Sequence, residues 1–491
     1  MLKFTQRNRQ VAQMVTLLAL FGVVGATRAQ ALELTPCRID GGSALPTAEA
    51  LCGQMRITED RTGDDGAMIE LEVALIPALS VQPQPDPLVF FAGGPGQAAI
   101  ETYLLARGAF ERIRQHRAIL LVDQRGTGGS NRMSCPMPPP EEMADIDLDD
   151  VAPMVRECLD QLAGDPRFYT TSVAVQDIDA IRQALGYEQI NLWGGSYGTR
   201  VALHYLRQYP QHTRSVIIDG VAPADLSLGP DIALDAQDSA DALFDRCTET
   251  PACNETFGDL AAKLTAVKAR LQDAPVTIVA SHPRTGLPNE QIVNADLLAG
   301  VVRLAIYSPA TRAVLPTIID RAHAGDYTLI AAQAAMLEDG FVDSMAIGKH
   351  NAVVCTEDVP FFDTQTNPAL DATFMGSLQV EVMRETCKHW PAGVIDGGFK
   401  QPVTSDIPVL LLSGEVDPVT PPKNAERALR TLSRAKHIVA PGQGHIVSGA
   451  GCMPKIMGEF VATLDLDALD ASCIERLRSM PIFVGPAGPT P

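Results

Sequence analysis

A serine in a glycine-rich turn carries the strongest chemical signal in this 491-residue sequence. The segment Gly-Gly-Ser-Tyr-Gly at 194–198 contains Ser196; it follows an apolar stretch at 190–193 and precedes a helical pattern at 199–209. A strand, a sharp turn and a helix around Gly-x-Ser-x-Gly hold a serine hydroxyl exposed at the edge of a sheet. The glycines are needed because neighbouring side chains would collide with the adjoining strand and helix. The pattern therefore predicts that Ser196 is a nucleophile.

A serine hydroxyl becomes a good nucleophile when a base removes its proton and an acid orients that base. Where the serine lies in such a turn, the acid and the histidine follow it along the chain in that order. The apolar segment 409–412 leads to Asp417, and the segment 437–439 leads to a glycine-rich loop that ends at His445. We predict that His445 is the general base and Asp417 the orienting acid, with Glu415 as the alternative acid.

A second glycine-rich loop, Gly-Gly-Pro-Gly at 93–96, follows the apolar segment 88–91. Loops of this kind allow backbone N–H groups to approach the oxyanion that forms during acyl transfer. We expect the N–H groups of Gly94 and Tyr197 to form this oxyanion hole. A tight turn with a purely structural role is the alternative.

The strand and helix patterns predict an α/β fold. Five segments are apolar on both faces, as is typical of central strands in a parallel sheet covered by helices: 88–91, 119–122, 190–193, 216–218 and 409–412. An amphipathic helix pattern at 175–185 lies between two of them, which indicates a mostly parallel, doubly wound sheet.

Helical patterns replace this alternation in the middle of the chain. We expect a helical cap domain at 225–400, inserted between two core segments at 32–224 and 401–479. The Pro- and Gly-rich end, 480–491, is expected to be a flexible tail.

The N-terminus has the features of a signal peptide. Basic residues at positions 3, 7 and 9 precede an apolar run at 14–26 and the small-x-small sequence Ala-Gln-Ala at 29–31. We predict cleavage of residues 1–31, export to the periplasm or the medium, and no stable membrane insertion afterwards. An uncleaved anchor is the alternative, although this run is short for a bilayer span.

All ten cysteines follow the predicted cleavage site, and an even number in an exported chain favours disulfides. No Cys-x-x-Cys or His-rich cluster supports a metal site, so no metal is expected. Short loops cost the least entropy to close, so nearest-neighbour pairing is the working model, while other connectivities and free buried thiols remain open. The candidate couples are Cys37 with Cys52, Cys135 with Cys158, Cys247 with Cys253, Cys355 with Cys387, and Cys452 with Cys473.

Composition excludes several classes of protein. The net charge is −20, with 59 acidic and 39 basic residues and no basic block, which argues against a nucleic-acid partner. Apolar residues make up 46 % of the chain, which excludes disorder of the whole chain. Beyond the N-terminus no apolar run reaches the length of a membrane-spanning helix, which excludes a polytopic membrane protein.

These motifs together resemble the α/β-hydrolase serine peptidases of the proline iminopeptidase and tripeptidyl aminopeptidase family. The resemblance covers roughly residues 65–225 and 400–465. It rests on Gly-Gly-Pro-Gly at 93–96, Asp-Gln-Arg-Gly-Thr-Gly-Gly-Ser at 123–130, the turn at Ser196, and the pair Asp417 and His445.

The resemblance implies an α/β-hydrolase fold with a helical cap and the removal of residues or short peptides from free N-termini. It also implies that no metal or organic cofactor is needed. The sequence departs from the family at Ala92, where the motif His-Gly-Gly-Pro-Gly has a histidine. This change leaves the backbone donors of the oxyanion hole in place.

An aminopeptidase needs an anion for the ammonium group of its substrate, because burying that charge unpaired is costly. The segment 353–358 resembles the Cys-x-Glu segment that supplies this carboxylate in relatives, which implies Glu357 as a substrate-binding residue. An exposed cap acid without such a role is the alternative.

Three functional hypotheses follow. The first is an exported serine aminopeptidase acting on peptides. The second is a secreted carboxylesterase, or another hydrolase of small esters and amides, which would use the same triad. The third, a catalytically inactive binding module, conflicts with the fact that all triad positions are filled.

Overall fold

A computed structural model describes residues 32–41, 46–63, 66–136, 147–337, 344–363, 365, 367–485 and 488–489. The predicted signal peptide at 1–31 lies outside the described residues. Eleven strands are described: Thr35–Ile39 (β1), Ala48–Thr58 (β2), Met68–Ile76 (β3), Leu88–Phe91 (β4), Ile119–Val122 (β5), Ile190–Gly195 (β6), Thr213–Asp219 (β7), Val276–Ser281 (β8), Pro288–Val293 (β9), Val409–Gly414 (β10) and Ala435–Ala440 (β11).

Nine of these strands form one sheet in the order β1-β2-β3-β5-β4-β6-β7-β10-β11. Strands β1, β2, β3 and β5 pair antiparallel at one side of the sheet. All pairs from β5 to β11 are parallel. The prediction of a mostly parallel, doubly wound sheet is therefore confirmed.

The central strands are buried on both faces, as their apolar sequences predict. In β4, Leu88 and Phe90 belong to the hydrophobic core on one face of the sheet, and Val89 and Phe91 belong to the core on the other face. This follows from the two-residue period of a strand, which sends successive side chains to opposite faces. An apolar residue at every position therefore requires helices on both sides.

Fifteen α-helices are described, and we number them in chain order. They are Ala99–Ala106 (α1), Glu111–Arg114 (α2), Leu148–Gln161 (α3), Thr171–Ala184 (α4), Tyr197–Gln208 (α5), Ile232–Glu249 (α6), Pro251–Phe257 (α7), Leu260–Asp273 (α8), Ala295–Ala305 (α9), Pro309–His323 (α10), Thr328–Leu337 (α11), Ile347–Glu357 (α12), Leu378–His389 (α13), Pro422–Leu429 (α14) and Met453–Thr463 (α15). Short 3₁₀ helices lie at Arg107–Phe110, Pro166–Phe168, Pro210–His212, Val359–Phe361, Pro368–Ala372 and Ile474–Arg476.

Helices α6 to α13 lie between β7 and β10, where the sequence predicts an inserted cap. This region also contains a hairpin of β8 and β9, which the expectation of a helical cap did not include. Val276, Ile278 and Ala280 point from β8 into the cap core, and α11 packs against both strands. The alternation of apolar and polar residues in a strand of six residues is a weak indication of a strand, because long helical patterns surround it in the sequence.

The C-terminal segment differs from the expected flexible tail where it is described. Ile482 is 7 % exposed and belongs to the hydrophobic core of the cap. The N–H of Phe483 donates to the carbonyl of Ala313 at 2.9 Å. Pro- and Gly-rich composition reports local flexibility and contains no information on such distant contacts, so it could not predict this attachment.

The structure joins the same five cysteine couples that nearest-neighbour pairing selects, with sequence separations of 15, 23, 6, 32 and 21 residues. Within the described ranges, no group of three or more His, Cys, Asp or Glu side chains is placed to hold a metal ion. Among the helices of the same ranges, none has the length and apolar character of a membrane span.

Candidate active site

Ser196 lies in a strained turn between the last residue of β6 and the first residue of α5. Its backbone angles are φ 55° and ψ −125°, a conformation that residues with a side chain rarely adopt. Its N–H donates to the carbonyl of Asp219 at 2.9 Å, and its carbonyl accepts the Thr199 hydroxyl at 2.6 Å. Surrounding hydrogen bonds therefore hold the serine in this unusual conformation, as at functional turns generally.

The glycines around Ser196 are required by close backbone packing. A Cβ atom on Gly198 would overlap the carbonyl oxygen of Phe91 in β4, and one on Gly194 would overlap the carbonyl of Gly198. These contacts bring the start of α5 against the ends of β4 and β6. The steric reason inferred from the sequence agrees with this geometry.

Asp417 and His445 are in direct contact at the carboxyl edge of the sheet. Asp417 follows β10, His445 follows β11, and Nδ1 of the imidazole is 2.9 Å from Oδ2 of the carboxylate. Asp417 also accepts the N–H groups of Val419 and Thr420, both at 2.9 Å, and the Thr420 hydroxyl at 2.8 Å. Because Asp417 occupies Nδ1, the imidazole has Nε2 available for proton transfer.

The electrostatics of this pair suit a general base. Burial alone would raise the pKa of Asp417, but the charge and hydrogen bond of His445 and the bonds from Thr420 and Val419 hold it below its ordinary value. Burial alone would lower the pKa of His445, but the charge and hydrogen bond of Asp417 outweigh it and raise the pKa. The pair therefore favours the imidazolium that forms when His445 accepts a proton.

Glu415, the alternative acid, has a different partner. Its carboxylate accepts the N–H of Gly442 at 2.7 Å, in the loop that leads to His445. Of the two acids in this loop, Asp417 is the one hydrogen-bonded to the imidazole, and Glu415 supports the backbone of the histidine loop.

The loop at 93–96 lies beside Ser196, as the sequence predicts. A Cβ atom on Gly93 would lie 3.1 Å from Cβ of Ser196, and Gly94 has φ +106°, which favours glycine. The N–H of Tyr197 is the first of α5, so it has no acceptor within the helix. The loop and the helix start therefore border the space next to Ser196 in which an oxyanion would form.

Glu357 is not placed as a free carboxylate for a substrate ammonium. It is 0 % exposed. Its Oε1 accepts the N–H of Thr171 at 2.6 Å, and its Oε2 accepts the Thr171 hydroxyl at 2.8 Å and lies 3.5 Å from Nη1 of Arg200. Internal donors thus occupy both oxygens, and the assignment made from the Cys-x-Glu resemblance needs correction on this physical ground.

The surroundings of Glu357 indicate a supporting position instead. The Thr171 hydroxyl that contacts Glu357 is also 2.6 Å from the phenol oxygen of Tyr197. Arg200 forms a two-point ion pair with Asp358, at 3.0 and 2.9 Å. Glu357 therefore holds the side chain of the residue next to Ser196 through Thr171.

Asp219 is a buried acid of the site that the sequence analysis missed. Its carboxylate accepts the N–H of Val447 at 3.0 and 2.9 Å, the N–H of Ser448 at 2.7 Å and the Ser448 hydroxyl at 2.6 Å. The Ser448 hydroxyl in turn accepts the indole N–H of Trp193 in β6 at 2.9 Å. Burial raises the pKa of Asp219 to about 6 despite these hydrogen bonds. The position of Asp219 at the end of an apolar strand was the available signal.

The cap contacts both the loop that contains His445 and the loop at 93–96. The N–H of His445 donates to the carbonyl of Tyr307 at 2.8 Å, and the two rings pack edge to face with centroids 5.3 Å apart. The N–H of Ala346 donates to the carbonyl of Gly96 at 3.0 Å, and His350 Nδ1 lies 3.3 Å from the carbonyl of Pro95. The cap thus lies directly over the histidine loop and the loop at 93–96.

Comparison with known families agrees with this architecture. Residues 86–246 match a family model described as an alpha/beta hydrolase fold, and residues 372–473 match one described as a TAP-like protein. The first range includes Ser196, and the second includes Asp417 and His445.

Two curated relatives are similar over most of the chain, and a third is similar over a shorter part. The serine protease Hip1 of Mycobacterium tuberculosis is 26 % identical over 88 % of this chain and 89 % of its own length. The tripeptidyl aminopeptidase of Streptomyces coelicolor is 24 % identical over 87 % of this chain and 81 % of its own length. The proline iminopeptidase of Neisseria gonorrhoeae is 26 % identical over 29 % of this chain and 34 % of its own.

Among solved structures, a proline iminopeptidase of Mycobacterium smegmatis aligns with a TM-score of 0.41 and 18 % identity, over 84 % of this chain and 99 % of that one. The two family models, the long relatives and the sheet topology agree on one assignment. This chain has the α/β-hydrolase fold with a TAP-like segment, and it is similar to enzymes named serine protease, tripeptidyl aminopeptidase and proline iminopeptidase.

Proposed function

We propose that this chain is an exported serine aminopeptidase that removes single residues or short peptides from free N-termini. Ser196 is the nucleophile, His445 the general base and Asp417 the acid that orients it. The observation that carries the proposal is the 2.9 Å contact between Asp417 and His445 at the sheet edge that also holds the strained Ser196 turn.

The proposed reaction proceeds through an acyl-enzyme. The Ser196 hydroxyl attacks the scissile carbonyl while Nε2 of His445 takes its proton, and Asp417 stabilises the imidazolium. The N–H groups of Gly94 and Tyr197 stabilise the negative oxygen of the tetrahedral intermediate. His445 then donates its proton to the leaving amine, and a water molecule activated by His445 hydrolyses the acyl-enzyme.

Peptide substrates are supported by the relatives that extend along most of the chain, whose names specify a serine protease and a tripeptidyl aminopeptidase. The cap packs against the histidine loop through Tyr307 and against the loop at 93–96 through Ala346. A cap in this position limits the length of chain that can reach Ser196, which favours attack near a substrate terminus over attack within a folded protein.

A secreted carboxylesterase, or another hydrolase of small esters and amides, is the second candidate. One observation favours it: both oxygens of Glu357 are occupied by Thr171 and Arg200, so the acid expected to bind the ammonium group has other partners. The same triad would hydrolyse esters without such an acid.

The experiment compares matched substrates on one enzyme preparation. We expect kcat/KM for anilides of proline, alanine or a tripeptide with a free amine to exceed that of the N-acetylated forms by about tenfold or more, the effect of one charge-assisted contact. A p-nitrophenyl acetate assay supplies the ester reference, and Ser196→Ala measures the background. Hydrolysis of the ester combined with equal or better turnover of acetylated anilides would favour the esterase.

Export is supported by the five disulfides, which form in oxidising compartments. We expect N-terminal sequencing of protein from the periplasm or the medium to begin at Leu32. A chain retained in the cytoplasm with its N-terminus intact would contradict export and leave the hydrolase proposal standing.

A further inference from the structure

Two cap residues approach His445 from the end of α9. Tyr307 packs its ring against the imidazole and accepts the His445 N–H with its carbonyl. One helical turn earlier, Arg303 lies with Nη2 3.5 Å from the phenol oxygen of Tyr307. The Arg303 guanidinium is therefore linked to the catalytic histidine through a single aromatic side chain.

The positive charge of Arg303 affects the pKa values of two histidines, His350 and His445. Burial lowers the pKa of His350, and the positive charge of Arg303 lowers it further. The same charge opposes the rise in the pKa of His445 that Asp417 causes. His350 Nδ1 lies 3.3 Å from the carbonyl of Pro95, so each of the two histidines adjoins a loop of the candidate site.

Arg303 has no carboxylate partner among the described residues. Its Nε is buried without a hydrogen-bond acceptor. By contrast, two fully buried arginines have two-point carboxylate partners, Arg125 with Asp177 and Arg200 with Asp358. A cation that is partly removed from water without an anion is unfavourable. A substrate anion would supply the missing partner.

In the proposed reaction, the leaving peptide departs on the side of His445, which Tyr307 and Arg303 adjoin. Nδ1 of His445 is bonded to Asp417, so Nε2 is the atom that protonates the leaving amine in the proposed reaction. Every unmodified leaving peptide has a free C-terminal carboxylate, and an arginine binds a carboxylate with two parallel hydrogen bonds.

We propose that Arg303 and Tyr307 form a subsite for the C-terminal carboxylate of a short leaving peptide. The inference rests on the proposed aminopeptidase function and specifies its substrate class as short peptides with a free C-terminus. In this arrangement Arg303 donates to both carboxylate oxygens, and the Tyr307 hydroxyl is positioned beside them.

The kinetic test uses peptides whose leaving portions have one, two or three residues, each as the acid and as the C-terminal amide. At the length that fits the subsite, we expect wild-type kcat/KM to favour the acid by about tenfold or more. Arg303→Gln should reduce this preference to less than about threefold. Arg321→Gln, at an exposed cap arginine paired with Asp326, is the matched control and should retain the preference.

A binding measurement separates this inference from the proposed function. Calorimetric titration of dialanine, trialanine and their amides measures product binding without turnover. If no peptide is hydrolysed but an acid binds at least tenfold more tightly than its amide, and Arg303→Gln abolishes the difference, the subsite stands and the aminopeptidase proposal fails. Equal binding and turnover of acids and amides by the wild type, or a preference that persists in Arg303→Gln, would overturn the subsite.

Discussion

The carboxylate of Asp219 accepts the backbone N–H of Val447 with both of its oxygens, at 3.0 and 2.9 Å. The main-chain carbonyl of Asp219 accepts the N–H of Ser196 at 2.9 Å. Val447 lies two residues after His445. One residue at the end of β7 therefore fixes the Ser196 turn and the histidine loop relative to each other.

Asp219→Asn should lower kcat without a comparable change in KM. An amide nitrogen cannot accept the N–H groups of Val447 and Ser448, so the histidine loop should shift relative to Ser196. A misplacement of this kind costs about 10- to 100-fold in rate. Steady-state kinetics with p-nitrophenyl acetate measure the effect, and Asp160→Asn, at an exposed acid, is the control. An unchanged kcat would show that the Asp219 contacts do not position the catalytic residues.

The pH dependence of the reaction should follow His445. Only the neutral imidazole accepts a proton, and Asp417 raises the pKa of His445 above its ordinary value of 6.5. We therefore expect kcat/KM for a neutral ester to fall as the pH drops through a midpoint above 6.5.

Asp417→Asn tests the cause of that midpoint. In the wild type, the negative charge of Asp417 offsets the lowering of the pKa of His445 by burial. The variant loses this charge, so the midpoint of the acid limb should move to lower pH, and kcat should also decrease. An acid limb that stays at the wild-type midpoint in Asp417→Asn would mean that another group controls it.

Glu357→Gln should affect peptide and ester substrates equally. The substitution replaces one of the two accepting oxygens with an amide nitrogen, which leaves a buried donor of Thr171 or Arg200 unsatisfied and lowers the free energy of unfolding by about 1–3 kcal/mol. Kinetics with both substrate types and denaturant unfolding measure this, with Glu249→Gln at an exposed cap acid as the control. A loss confined to free-amine peptides would restore the original ammonium-binding role.

The disulfides should differ in their contribution to stability according to loop length. Cys452 and Cys473 are 21 residues apart, whereas Cys247 and Cys253 are 6 apart. On the chain-entropy model, replacing both cysteines with alanine should lower the free energy of unfolding by about 3 kcal/mol for the first bridge and about 2 kcal/mol for the second. Denaturant unfolding of the two double variants measures both values, and a larger loss for the shorter loop would contradict the model.

The residues that the sequence could predict are those with local chemical signatures. Ser196 lies in a motif with a strong steric requirement, and Asp417 and His445 follow apolar strands in the order that the motif implies. The central strands were predictable for a similar reason, because β4, for example, is apolar at every position. Such signals need only a few neighbouring residues.

The residues that the sequence could not predict depend on distant partners. Asp219 and Val447 are 228 positions apart, and Arg200 and Glu357 are 157 apart. A cap acid looks the same in the sequence whether its oxygens face a cleft or an internal threonine. Burial and partners decide between these roles, and both arise from tertiary packing.

The central claim is that Ser196, activated by His445, attacks the substrate. The most direct measurement is mass spectrometry of the protein after reaction with a fluorophosphonate probe, which modifies activated serines. We predict one modified peptide, containing Ser196, in the wild type, no modification in Ser196→Ala and strongly slowed modification in His445→Ala. Labelling of Ser196→Ala at the wild-type rate, or modification of a different serine, would contradict the assignment.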